Sequence, residues 1–188
     1  LSAIQADLAA GVRAQAIGAT TVSSSFGRQI ARLAIIAVIV SLLLIVIYLA
    51  IRFDWKYAVP AIAALVHDLV ITVGIYSLTG FEVTSSTVAA VLTVLGYSIY
   101  DTIIIFDRIR ENIPLMRRAT FRTLTNVSLW ETIPRSLATT FITLLPVGSL
   151  LIFGGETLKD FAFALFIGIG LGAISTFFVA TPFLTVLM

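Results

Sequence analysis

From Leu33 to Leu49 the chain carries no charged residue, and further long apolar runs follow it. A helix that crosses a hydrocarbon core of about 30 Å needs roughly 20 mainly apolar residues. Five segments meet that requirement, at about 30–51, 57–78, 85–106, 132–153 and 161–188. Runs of this kind leave little choice of fold. Inside lipid no water satisfies the backbone, so each segment must bond its own peptide groups as a helix. The expected fold class is therefore an all-α membrane protein, a bundle of five transmembrane helices over residues 28–188. Pro60 and Pro134 fall in the first turns of the second and fourth segments, where a missing N–H costs nothing. Pro146 lies inside the fourth and predicts a kink. Gly168, Gly170 and Gly172, with Ala173, predict close helix contact in the fifth.

Composition agrees and excludes much else. The chain is 59% hydrophobic and 12% charged, against roughly 45–50% and about 25% in ordinary soluble domains. Its mean hydropathy of +1.08 excludes a soluble enzyme, a disordered segment and a disulfide-stapled module. With no cysteine and a single histidine, His67, no metal centre, iron–sulfur cluster or thiol chemistry is expected. A net charge of +2 with no basic stripe argues against nucleic acid as a partner. There is no phosphate-binding loop or nucleophile–base set, so the chain is not expected to be an enzyme, and no cofactor is expected. No internal repeat of fixed period is visible. Residues 1–27 lack the charged start and apolar centre of a signal peptide. They read as the end of an extracytoplasmic domain and a Ser-rich lead-in, the tail of something longer.

Lys and Arg predict the orientation. Arg52 and Lys56 fall in the first loop, and Arg108, Arg110, Arg117, Arg118 and Arg122 in the third, taken as residues 107–131. The second and fourth loops hold only Lys159. Loops one and three are thus expected on the cytoplasmic side, together with the C-terminus. Arg28 and Arg32 lie outside against this trend, which a translocated domain preceding them explains.

Ionisable residues inside a membrane cost about 2.5–3.5 kcal/mol each on insertion scales, so each needs a partner or a function. Asp68, preceded by His67, lies near the middle of the second segment, Asp101 near the end of the third, and Arg135 near the start of the fourth. The third and fourth segments run in opposite directions. Asp101 and Arg135 therefore share a depth, on the order of 5–8 Å below the boundary at about 1.5 Å per residue. Each heads a polar stripe at helical spacing. Thr93, Tyr97 and Asp101, with Ser98, form one stripe, and Arg135, Thr139 and Thr143, with Thr140, form the other. Burial favours a neutral carboxyl, whereas a nearby guanidinium favours the carboxylate. Such a pair can take up and release a proton as the arginine moves, which predicts an ion-coupling site at Asp101 and Arg135. The polar lining would be Tyr97, Ser98, Thr139 and Thr143. A static ion pair locking two helices accounts for the same two residues. His67 and Asp68 read equally as a secondary relay or as a packing pair, because adjacent helix positions do not face each other. Asp107, Arg108, Arg110 and Glu111 read on spacing alone as a solvated helix end.

Several motifs carry a family resemblance. Gly96-Tyr97-Ser98-Ile99-Tyr100-Asp101-Thr102, running into Phe106-Asp107-Arg108-Ile109-Arg110-Glu111-Asn112, resembles the signature of the SecF family of protein-export membrane subunits. That family is related to the resistance–nodulation–division transporters. Arg52-Phe53-Asp54-Trp55-Lys56, Leu65-Val66-His67-Asp68 and Phe153-Gly154-Gly155-Glu156 are similar to its first cytoplasmic turn, second-span motif and last outer loop. Val22 to Gly27 resembles more loosely the lead-in to the span after its periplasmic domain. Together these cover nearly all of residues 20–188. The family's intramembrane aspartate falls on Asp101, and the arginine of its following span on Arg135. Where members often have asparagine before the aspartate, this chain has Tyr100.

The resemblance implies half of a pseudo-symmetric SecD–SecF pair in the bacterial cytoplasmic membrane. The implied partners are SecD, the SecYEG channel, the SecA motor, a preprotein and the lipid bilayer. The implied function is coupling of proton flow, with sodium as the variant, to preprotein translocation. An ion-coupled exporter of lipids or small molecules from the same superfamily is the alternative.

Overall fold

The structure, a computed structural model, describes Ala3 and residues 24–81 and 83–188. The expected lead-in thus lies largely outside the described residues. The helices are α1 (Ser24–Arg52), α2 (Trp55–Thr79), α3 (Ser85–Leu115), α4 (Phe121–Phe153) and α5 (Glu156–Ser175). After α5 come a π-helical turn (Thr176–Ala180) and α6 (Thr181–Leu187). Among the described residues there is no strand. Five helical segments are long and apolar enough to span a membrane, α5 and α6 counting together as one. The all-α, five-span fold holds.

Several helix ends differ from the apolar boundaries, and the third loop needs correction. Residues 107–131 are mostly helical: α3 continues to Leu115 and α4 begins at Phe121, leaving only 116–120 between them. Apolarity marks where a helix enters lipid, whereas local capping decides where it ends. Thr120 caps α4, its Oγ1 accepting a hydrogen bond from Thr123 N at 3.3 Å. Thr84 caps α3 reciprocally with Thr87, through bonds of 3.3 and 3.4 Å. Gly80, at φ +75°, closes α2 in the left-handed conformation that only glycine adopts freely. Because α2 starts at Trp55 and α4 at Phe121, Pro60 and Pro134 lie beyond the first turns, inside their helices. The fifth span is also not one regular helix. Pro182 cannot donate a backbone hydrogen bond, and just before it the chain widens into the π-helical turn. There the Thr181 N–H and Oγ1 both donate to Thr176 O, the hydroxyl at 2.8 Å.

The chain from Ala34 to Met188 forms one compact unit. Within it α3 packs on α2, α4 and α5, while α5 also packs on α2 and α4. One apolar cluster joins Leu49, Tyr57, Leu65, Leu95, Phe106, Leu124 and Leu184; the other joins Tyr76, Ala90, Val94, Leu165 and Ile169. The α3–α5 seam is close because two glycines face side chains across it. A Cβ on Gly168 would stand 2.3 Å from Val94 Cγ2, and one on Gly172 3.1 Å from Ser98 Cβ. That fits the expected close contact at two of the three glycines; Gly170 has nothing near it. Ile36, Val40 and Leu44 on α1 and Leu137, Phe141 and Ile142 on α4 are exposed. In lipid such apolar faces match their surroundings.

Candidate functional site: a polar cleft between α3 and α4

The two polar stripes meet. A narrow cleft, with about 10 Å³ of free space, is lined by Tyr97, Ser98, Tyr100 and Asp101 from α3 and Thr139, Thr140 and Thr143 from α4. Ile169 and Ala173 of α5 close its floor. Every residue expected as polar lining is among them. The meeting follows from spacing: residues four apart share a helix face, and these two faces oppose each other.

Asp101 is buried, 9% exposed. Ser136 approaches it from α4, short of a completed hydrogen bond, because the buried Ser136 Oγ has no partner. The Thr139 hydroxyl donates to Arg135 O at 2.9 Å and that of Thr143 to Thr139 O at 2.8 Å. Their hydrogens are thus committed to their own helix, and their lone pairs remain available to a donor in the cleft. Arg135 lies one turn of α4 before Thr139 and is exposed. Among the described residues no ion pair joins it to Asp101. A static lock between the two is therefore not formed in this chain.

His67 and Asp68 are not among the residues that line the cleft. Despite their adjacency they do touch: His67 Nδ1 is 3.1 Å from Asp68 Oδ1. Asp68 is completely buried, and Ser98 Oγ donates to its Oδ2 across the α2–α3 interface. Ser98 is thus shared between Asp68 and the cleft.

The Phe106–Asn112 motif proves to be more than a solvated end. Arg108 bonds Glu131 at 2.7 Å and Glu111 at 3.0 Å. The buried Asn112 amide donates to Ser128 Oγ at 2.8 Å and Glu131 Oε2 at 2.9 Å. Asp107 reaches Arg52 at 3.3 Å. The motif fastens α3 to α4 and to the end of α1. Ser136, Asn112, Ser128 and Glu131 were missed by spacing arguments, which follow one helix at a time. A larger cavity, about 740 Å³, opens between the start of α4 and α6, with Arg122 its only charged residue and none of the expected site residues in its wall. Among the described residues no cluster of acids or histidine has the makings of a metal site.

Comparison with known proteins agrees with this architecture. The family model described as "Protein export membrane protein SecD/SecF, C-terminal" matches residues 4–188. The chain is 46% identical over 179 residues to the protein translocase subunit SecF of Streptomyces coelicolor, covering 91% of this chain and 48% of that protein. It is 43% identical over 173 residues to the protein translocase subunit SecDF of Thermus thermophilus, covering 92% of this chain and 24% of that one. The crystal structure of the Thermus SecDF, a translocon-associated membrane protein, superposes with a TM-score of 0.88 at 41% identity, over 97% of this chain and 25% of that one. The chain thus spans about half or less of the length of these relatives. By sequence, fold and motif alike, it belongs to the SecD/SecF family of protein-export membrane proteins.

Proposed function

We propose that this chain is a membrane subunit of the Sec protein-export machinery, and that it couples ion flow at the Asp101 cleft to preprotein translocation. The observation that carries the reading is the cleft itself. Two helices bring one buried carboxyl and a ring of hydroxyl oxygens to the same depth of an apolar bundle, with an arginine one turn away. A buried acid without a fixed counter-charge is a poor structural brace, because an unpaired carboxylate there is costly. It suits a group that alternates between neutral and charged forms. Arg135 supplies the fixed charge, since a guanidinium stays protonated. When α4 brings it toward Asp101 the acid releases its ion, and when it withdraws the acid reloads. One charge moved through the full membrane potential yields about 2.3 kcal/mol per 100 mV, enough to bias two arrangements of the bundle.

The fused SecDF relative supports a SecD-like half as partner. In this reading SecYEG, SecA and the preprotein complete the assembly, and the polytopic chain sits in the bacterial cytoplasmic membrane with loops one and three and its C-terminus inside. The ion is a proton, with sodium the variant to be separated. The test uses the full-length protein with its partner in inverted vesicles, with proton and sodium gradients imposed separately. Gradient-driven export is expected to vanish in Asp101→Asn while ATP-driven export continues. Wild-type gradient dependence in a folded Asp101→Asn protein would refute the reading.

A further inference from the structure

Asp68 is the most deeply buried acid among the described residues, with no exposed surface, and the coupling reading gives it no task. Its surroundings are hydroxyl-rich and poor in charge. On its own helix stand His67, in contact, and Thr72 one turn further on, whose buried Oγ1 has no hydrogen-bond partner. From α3 comes the Ser98 hydroxyl. The buried polar residues of α5 and the π-helical turn are Ser175 and Thr176, the former also without a partner. The α1 side chains in or against the large apolar cluster, Leu42, Ile45 and Leu49, carry no charge. Among the described residues no Lys or Arg pairs with Asp68. Among the described residues His67 is its only ionisable partner, and the imidazole remains 39% exposed.

Ser98 gives this acid a second connection. Its side chain borders the cleft that holds Asp101, three residues further along α3. Gly172 lets α5 come close to it there, since a side chain at Gly172 would press on Ser98 Cβ. The residue whose hydroxyl bonds one buried carboxyl thus also lines the cleft of the other. We infer that Asp68 is a second proton-carrying group, joined to the Asp101 cleft through the Ser98 hydroxyl and reached from outside the bundle through His67. The inference rests on the coupling role proposed for Asp101. In the transfer step the Ser98 hydrogen first turns from Asp68 to the cleft. A protonated Asp68 then gives its proton to Ser98 Oγ while the hydroxyl's own proton passes to the Asp101 carboxylate. That leaves Ser98 donating to the Asp68 carboxylate, as it does in this structure. Asp68 ends as the carboxylate and Asp101 as the acid, so one proton has moved and Ser98 is unchanged. His67 then reprotonates Asp68 through the contact between Nδ1 and Oδ1. A hydroxyl suits this position because it donates and accepts at once.

The competing role is a structural tie between α2 and α3, and Asp68→Asn separates the two. The amide keeps the shape and an oxygen to accept from Ser98, but it cannot carry a proton. The experiment measures gradient-driven export over a range of pH, with the full-length protein and its partner in vesicles, alongside ATP-driven export and thermal stability. Asp68→Asn and Ser98→Ala are expected to lower gradient-driven export about tenfold, within the usual range for coupling between sites, with ATP-driven export unchanged. His67→Gln is expected to displace the pH profile. Wild-type export and pH profile in Asp68→Asn, beside an inactive Asp101→Asn, would overturn this inference and leave the cleft reading standing. An active Asp101→Asn would remove both. Should Asp68→Asn fail to fold, Ser98→Ala decides, because it leaves both carboxyls in place: gradient-driven export at the wild-type level overturns the link.

Discussion

Ser98 on α3 donates its hydroxyl hydrogen to Oδ2 of Asp68 on α2, and the same side chain borders the cleft that holds Asp101. The third helix is therefore a shared wall between two acids rather than the carrier of one. Substitution of Ser98 therefore affects both sides, whereas Thr139 and Thr143 of α4 border the cleft without touching Asp68.

Arg135 isolates the cleft from the stability of the bundle. It is exposed and forms no ion pair among the described residues, so Arg135→Ala should change thermal stability in detergent by less than about 0.5 kcal/mol. Gradient-driven export should nevertheless fall on the order of tenfold or more. A large loss of stability with unchanged coupling would assign the residue a structural role instead.

Thr139 and Thr143 spend their hydroxyl hydrogens on their own helix. Replacing both with valine keeps the shape and removes only acceptor oxygens from the cleft. Stability should hold within about 1 kcal/mol, since such back-bonds slightly destabilise a helix, while gradient-driven export drops several-fold. Vesicle export and a melting curve on the same preparation check both halves.

The seam between α3 and α5 should be intolerant of added volume. Gly168→Ala places a methyl group against Val94, and overpacking of this kind costs about 1–3 kcal/mol. Val94→Ala in the same chain removes the atoms it strikes. The double variant should melt above Gly168→Ala alone, a non-additivity that a clash elsewhere would not produce.

The polar fastening between α3 and α4 should divide into strong and weak parts. Asn112 is buried and bonds both Ser128 and Glu131, so Asn112→Ala should cost about 1–3 kcal/mol. The Asp107–Arg52 pair is partly exposed at both ends, and Asp107→Asn should cost less than about 1 kcal/mol. Denaturation of the two variants side by side orders them.

Much of this was legible in the residues. Apolar length alone placed all five spans, and four-residue spacing picked the faces that form the cleft, because helical periodicity is a local property. The start of α4 was misplaced because Thr120 sets it by capping while hydropathy rises only later; at Thr84 the cap and the apolar boundary coincide. The π-helical turn escaped because Pro182 looks like an ordinary helix proline until its effect on the preceding turn is seen. Ser136 and the Ser98–Asp68 bond escaped for a different reason. Each depends on the rotation of one helix against another, which no single stretch of chain encodes. The Arg135 position shows the converse limit: equal depth does not by itself bring two charges into contact.

The attachment of α4 has a mechanical consequence. Its first turns are held to α3 through Asn112, Ser128 and Glu131, and its far part is held to α5 through Leu144 and Val147. Pro134 lies between those supports and Pro146 within the second; each withholds a backbone hydrogen bond, and they bracket the stretch that carries Thr139, Thr140 and Thr143 beside Asp101. The helix is a beam pinned at both ends and softened at two points along its length. Its middle can bow toward or away from the acid while its ends stay in place, so the cleft can open and close without unpacking the bundle.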